Sequence, residues 1–181
     1  RYYHIPGDRT SIPDNMVREI LIEKPEYLWV GTLNGLCRIN IRRDSIRYFI
    51  HDPMDPSSLS DSRISALWQD TKGMIWIGTD NGLNRWDPAA DKMIRFVNQS
   101  FNNRSISNNR ILSLYEDRKG TLWIGTFIGI NKTEPFASTF SHYRQIPDDP
   151  HSLSSNYVIS IAEDPSQKVW IATDNGLNIL A

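Results

Sequence analysis

The chain has 181 residues, of which 39% are hydrophobic and 23% charged, with a formal net charge of −1. This is the composition of a soluble globular protein, and it provides no overall field that would steer the chain to nucleic acid or an anionic membrane. The single cysteine, Cys37, excludes an intrachain disulfide, and no apolar run nears the roughly 18 residues of a membrane span. The four histidines lack metal-ligand spacing, so neither a metal nor a cofactor is expected. The chain opens on Arg1-Tyr2-Tyr3-His4-Ile5, without an initiator Met or a signal peptide, which reads as a processed product or a piece of a longer polypeptide.

A repeat dominates the sequence. Trp29, Trp76, Trp123 and Trp170 stand 47 residues apart, each inside a stretch such as Leu122-Trp123-Ile124-Gly125-Thr126. Tyr2, Phe49, Phe96 and Tyr143 share another column, as do Ser11, Ser58, Ser105 and Ser152, and Gly35, Gly82, Gly129 and Gly176. A period of this size built from β-type residues marks a stacked or radial array.

The second unit shows the predicted elements best. Ile64 to Gln69 reads as a first strand, and Asp70-Thr71-Lys72-Gly73 as a tight turn. Met74 to Thr79 is the second strand, and Asp80-Asn81-Gly82 carries the Asn-Gly pair that signals a hairpin. Leu83 to Trp86 is the third strand and Met93 to Val97 the fourth, with a connection over about 98–109 leading to the next unit. Four antiparallel strands and a longer link per repeat describe a propeller blade. The expected fold is therefore an all-β propeller with four-stranded blades, one domain over 1–181, in repeats 1–47, 48–94, 95–141 and 142–181. The tryptophans read as wedges between blades, and Gly31, Gly78 and Gly125 (Ala172 in the fourth repeat) as space for a neighbouring tryptophan. Tyr2 to Ile5 reads as part of a fourth strand that could complete the last blade and close a four-blade ring. Four consecutive blades of a larger ring are the favoured alternative.

The pattern Asp-x-x-Gly-x-Leu-Trp-Ile-Gly-Thr-x-x-Gly-Leu-x-Arg, carried by Asp117 to Thr126 and by Trp76 to Arg85, resembles the two-component regulator propeller repeat. Asp55-Pro56-Ser57-Ser58-Leu59-Ser60 and Asp149-Pro150-His151-Ser152-Leu153-Ser154 fit the same resemblance. It implies a periplasmic sensor region of a membrane-anchored hybrid histidine kinase, non-catalytic itself, which recognises a glycan fragment or small molecule and pairs as a homodimer through the full ectodomain. It fixes no ligand residue.

Residues repeated in every unit are what packing demands, whereas a specific site needs differences between units. In a propeller the fourth-to-first connections and the second-to-third hairpins open on one face. At the start of the first strand the units place Met16, Arg63, Arg110 and Tyr157, and at the hairpin Leu33, Asp80, Phe127 and Asp174. Before the repeated serine stand Thr10, Ser57, Arg104 and His151, and Arg18 puts a charge where other first strands have Ser65, Leu112 and Ile159. The candidate ligand residues are therefore Arg63, Arg110, Tyr157, Arg104, His151, Phe127, Asp80, Asp174 and Arg18. Guanidinium forks, carboxylates and an aromatic platform suit an acidic or sulfated sugar. A scaffold or dimerisation propeller is the competing reading. A propeller lyase would need a channel-facing acid/base pair, for which no cluster of His with Asp or Glu presents itself.

Overall fold

Each repeat folds around its tryptophan strand in the computed structural model, which describes residues 1–134 and 138–180. The first blade comprises β1 (Val17–Glu23), β2 (Tyr27–Thr32), β3 (Gly35–Asn40) and β4 (Ser45–Phe49). The second comprises β5 (Ile64–Gln69), β6 (Ile75–Thr79), β7 (Gly82–Asp87) and β8 (Lys92–Phe96). The third comprises β9 (Ile111–Glu116), β10 (Leu122–Thr126), β11 (Gly129–Thr133) and β12 (Ser141–Tyr143). The fourth holds β13 (Val158–Glu163), β14 (Val169–Thr173) and β15 (Gly176–Leu180). Each sheet is an antiparallel meander in chain order, so the predicted strands of the second unit hold to within one residue at either end.

Successive blades pack face to face through their inner strands, β1 on β5, β5 on β9 and β9 on β13. Trp29, Leu36 and Phe49 of the first blade share one core with Ile64, Leu67 and Trp86 of the second. The same arrangement joins the second blade to the third around Trp76 and the third to the fourth around Trp123. The tryptophans are thus wedges between blades, as their two-sided apolar strands predict. Each indole is also tied to its own turn. Asp70 Oδ1 accepts the amides of Lys72 and Met74, while its Oδ2 accepts Trp76 Nε1 at 2.9 Å. Asp117 and Asp164 repeat this bracket, and Glu23 takes the indole of Trp29.

Two expectations are corrected, the occupant of the glycine slots and the N-terminal strand. The space left by Gly31 and Gly78 receives no tryptophan. A Cβ on Gly31 would lie 2.5 Å from Ile64 Cγ2 and one on Gly78 2.6 Å from Ile111 Cγ2, so each glycine seats the first residue of the next blade's inner strand. The Asn-Gly pair does mark the hairpin, but Asp80 and Asn81 form its tip without positive φ. Gly82 begins β7 at φ 137°, where a Cβ would meet Ser60 Oγ at 2.9 Å. Finally, Tyr2 to Ile5 forms no strand. Its amides repeat the bonds of the blade connections, Ile5 N donating to Ser11 Oγ just as Gln99 N donates to Ser105 Oγ. Committed to that connection, the segment packs beside the first blade, and the arc stays open. Ile20 and Ile22 on one end face and Leu177 and Ile179 on the other remain exposed.

A buried polar trio locks each connection to the blade it enters. Ser60 N donates to Asn84 Oδ1 at 2.9 Å, Asn84 Nδ2 donates to Ser60 Oγ, and Ser60 shares a hydrogen bond with Thr79. Ser154, Thr173 and Asn178 repeat the trio, and in the third blade Ser107 N donates to Asn131 Oδ1 while its hydroxyl meets Thr126. The first blade substitutes Pro13 and Cys37 for the serine and the asparagine together, which leaves no half-satisfied polar pair in its core.

Candidate functional site

The start of each first strand and the tip of each hairpin meet in every blade. The amides of Leu33, Asp80, Phe127 and Asp174 donate to the carbonyls of Met16, Arg63, Arg110 and Tyr157, each at 3.2 Å. Those four strand-start residues are themselves held by a side chain two positions upstream. Asp14, Asp61 and Asn108 accept the amides of Met16, Arg63 and Arg110, and Ser155 that of Tyr157. These short turns, typical of Asp, Asn and Ser, fix the backbone from which the side chains project.

The side chains then link blade to blade. Asp80 lies between two guanidiniums, 3.6 Å from Arg63 Nη1 in its own blade and 3.7 Å from Arg110 Nε in the next. Arg110 stacks over Phe127, with Cζ 5.1 Å from the ring centroid. Phe127 in turn meets the half-buried Tyr157 of the fourth blade edge to face, centroids 5.0 Å apart at 70°. Five of the nine predicted residues therefore form one row across three blades, Arg63–Asp80–Arg110–Phe127–Tyr157, with Asp174 hydrogen-bonded by its backbone to the far end. The exposed Met16 is an apolar start to the row in the first blade.

One carboxylate shared loosely by two guanidiniums leaves a surplus positive charge and free N–H donors. Half-exposed ion pairs at such distances contribute about 0–1 kcal/mol, so an incoming anion would sacrifice little by competing for them. Guanidinium forks suit carboxylate or sulfate oxygens, and the exposed edge of Phe127 offers an apolar surface beside them. The row can bind and orient an anion.

The other three candidates lie elsewhere. Arg104 accepts, through its carbonyl, the amide of Phe140 just before β12, on the outer rim and not at the hairpin face. His151 lines an outer groove of about 560 Å3 with His142, Tyr143, Leu177 and Ile179. That groove lies along β15, where the other blades carry their fourth strand. The column containing both residues runs down the blade edge because each connection pairs with the fourth strand, as Met93 N does with Ser57 O. Arg18 is the extra residue of a β-bulge that recurs at Ser65, Leu112 and Ile159. It is exposed beside Glu19, whose carboxyl is pushed up chiefly by burial, with Arg18 opposing, and it stands one blade away from the charged rungs. Burial pushes the Cys37 thiol up to about 12, so it is no nucleophile. No cluster of metal ligands occurs among the described residues.

Meander sheets packed side by side around inner strands define the molecule as an array of β-propeller blades. Residues 105–127 and 152–175 match the family model described as two component regulator propeller. No curated protein matches the chain. Among solved structures, it is similar to the extracellular domain of a Bacteroides thetaiotaomicron protein named as a hybrid two component system, at 20% identity and a TM-score of 0.80. That likeness covers 98% of this chain and 24% of that one. A second extracellular domain from the same organism, named as a one component system, matches at 26% identity and a TM-score of 0.75, over 93% of this chain and 22% of that one. The chain thus spans about a quarter of the length of either structure. Virginiamycin B lyase from Staphylococcus aureus shares the fold at 14% identity and a TM-score of 0.66, over 94% of this chain and 54% of the lyase.

Proposed function

We propose that this chain is part of an extracytoplasmic, periplasmic sensing propeller of a two-component regulator, non-catalytic itself, and that it responds to a glycan fragment bearing a carboxylate or sulfate. The family repeat and the extracellular domains it resembles support the regulator setting. The row from Arg63 to Tyr157 supports recognition, because residues that differ between repeats come together on one face while the repeated ones are spent on packing. Around the one Asp80 carboxylate, the row's guanidinium donors and aromatic surface suit the holding of an anionic sugar.

Thermal melting of the chain against a panel of neutral, uronate-bearing and sulfated oligosaccharides tests this. An acidic glycan should raise Tm, since ligand at a hundred times Kd stabilises by about 2.7 kcal/mol. Arg63→Ala and Arg110→Ala should each remove most of that shift, and Tyr157→Ala part of it. No shift anywhere in the panel, or a shift untouched by the triple substitution, would leave a scaffold or dimerisation role as the better reading.

A further inference from the structure

The connections that enter the blades are clasped by different side chains of one column. In the second blade Arg95 fills the space between β8 and the connection. It donates to the carbonyls of Ser58 and Asp55 at 2.8 and 2.7 Å and to that of Asp52 at 3.4 Å. In the first blade the Tyr48 hydroxyl reaches the carbonyls of Asp8 and Ser11. The third blade has His142 in this column, and its imidazole meets the Ser105 carbonyl at 2.6 Å. It stops short of Gln99 and Asn102, the counterparts of Asp52 and Asp55, whose carbonyls accept from Asn102 and Ser105 of the connection itself. Beside the shorter side chain a groove of about 760 Å3 opens, between residues 98–103 and 142–146. Its volume falls within the range of about 300–1,000 Å3 of small-ligand sites. Both walls lie inside the chain, in its second and third connections.

The same connection departs from the repeat in composition. Pro6, Pro53 and Pro147 give way to Ser100, Asp8, Asp55 and Asp149 give way to Asn102, and the tip holds a fully exposed Phe101. Asn102 keeps the turn-forming task of the aspartates, its Oδ1 accepting the Arg104 amide at 3.0 Å. Its Nδ2, which a carboxylate lacks, donates to Gln99 Oε1 at 3.0 Å, so the loop is braced and a charge is removed.

We propose that this groove binds a neutral sugar. A pyranose has hydroxyls that both donate and accept, and a face of C–H groups. The groove has matching groups, since the amides of Gln99, Asn103 and Gln145 donate and accept, Arg144 donates, and Phe101 supplies a ring. No Asp or Glu is among its described lining residues, so a cationic ligand would find no counter-charge there. One guanidinium amid amides makes no paired fork of the kind Arg63 and Arg110 form around Asp80. The groove lies on the outer rim, apart from that row, and the proposal does not depend on the row binding an anion.

Proton–nitrogen correlation spectra of the chain, titrated with hexasaccharides of glucose, mannose, xylose and galactose, test it. At least one sugar should shift the side-chain amide signals of Gln99, Asn103 and Gln145 and leave the guanidinium signals of Arg63 and Arg110 in place. His142→Arg, which installs in the third blade the clasp native to the second, should abolish those shifts, with circular dichroism confirming the fold. Phe101→Ala and Asn103→Ala, both at exposed positions away from the core, should each weaken binding. Joint replacement of Arg63 and Arg110 by Ala should leave it unchanged, which separates this site from the row. Spectra unmoved by every sugar up to its solubility would overturn the proposal. So would shifts that survive His142→Arg, full affinity in both exposed variants, or a response centred on Arg63 and Arg110.

Discussion

Gly78→Ala is a demanding test of how the blades are held together. The added Cβ would lie 2.6 Å from Ile111 Cγ2, 3.0 Å from Ile111 Cβ and 3.2 Å from Ala66 Cβ. Gly78 sits in β6 and Ile111 begins β9, both fully sheathed by neighbours, so the crowding can be relieved only by moving the third blade away from the second. Overpacking of this kind costs about 1–3 kcal/mol. For a protein of this size that corresponds to a fall in Tm of about 2–4 °C per kcal/mol. Ile111→Ala alone should cost about 2–5 kcal/mol, through lost burial and the cavity left behind. The informative quantity is the double mutant. Removing Cγ2 clears the shortest contact but leaves the Cβ at 3.0 Å, so the pair should lose less than the sum of the two single changes by about 1 kcal/mol, within the coupling seen for residues in contact. Gly73→Ala is the control. Its φ of 83° makes it strained, but its Cβ would meet only Gln69 Nε2, at 4.0 Å, far from Ile111, so its cost should add to that of Ile111→Ala without coupling. Additive behaviour of Gly78→Ala with Ile111→Ala, measured by thermal and urea unfolding, would refute the seating of Ile111 in the glycine slot.

Two further outcomes follow from the brackets around the turns. Asp117→Ala leaves the indole N–H of Trp123 and the amides of Lys119 and Thr121 without their acceptor. At about 1–3 kcal/mol for each of the two buried donors, the Trp123 indole N–H and the Thr121 amide, the loss should reach about 2–6 kcal/mol by denaturant titration, with Trp123 fluorescence shifted toward that of an exposed indole. The carboxyls of Asp55, Asp91 and Asp164 are all held below the usual range, by the hydroxyl of Ser57, the guanidinium of Arg47 and the indole of Trp170 respectively. A depressed folded pKa contributes stability that is present above the unfolded value near 3.9 and is lost as pH falls through the folded value. Tm should therefore be flat through the weakly acidic range and drop below about pH 4, and Asp164→Asn should lessen the acid sensitivity of the Trp170 signal.

Most of the fold was legible because the 47-residue period exposes it four times over. The columns of Trp76 and Asp70 identified the strand and its turn, and the structure joins those two residues by a hydrogen bond that spacing alone does not announce. The glycine slot was located but assigned the wrong occupant. Pattern shows that a Cβ is missing, while the identity of the residue seated there depends on how far one sheet is staggered against the next. The fate of Tyr2 to Ile5 turned on the same kind of information. The aromatic at Tyr2 matches the fourth-strand column, but the residues after it carry the serine and amide bonds of a connection.

For the candidate site, the columns that break the repeat hold side chains that adjoin one another from Arg63 to Tyr157, because the strand starts and hairpin tips of a meander share an edge. Arg104 and His151 lie apart from that row because the connection descends along the outer strand before crossing to the next blade, a path that depends on the bonds to β8 and β12. The trio of Ser60, Thr79 and Asn84 was missed, although its signal was present in the serine and asparagine columns and in their joint replacement by Pro13 and Cys37.

The path of that connection also defines the unit in which such a chain can change. Arg95 of β8 donates to the carbonyls of Ser58 and Asp55, and Asn84 of β7 accepts the amide of Ser60, so the incoming connection is clasped by the blade it serves. A linker and the blade after it form a self-contained cassette, offset from the sheet boundaries and joined to its neighbours through faces that recur. Duplication or loss of one cassette would alter the circumference of a ring while recreating the same junction at the splice. Length variation in steps of 47 residues is thus the change this architecture absorbs most readily, and a shift by any other number would break the clasp.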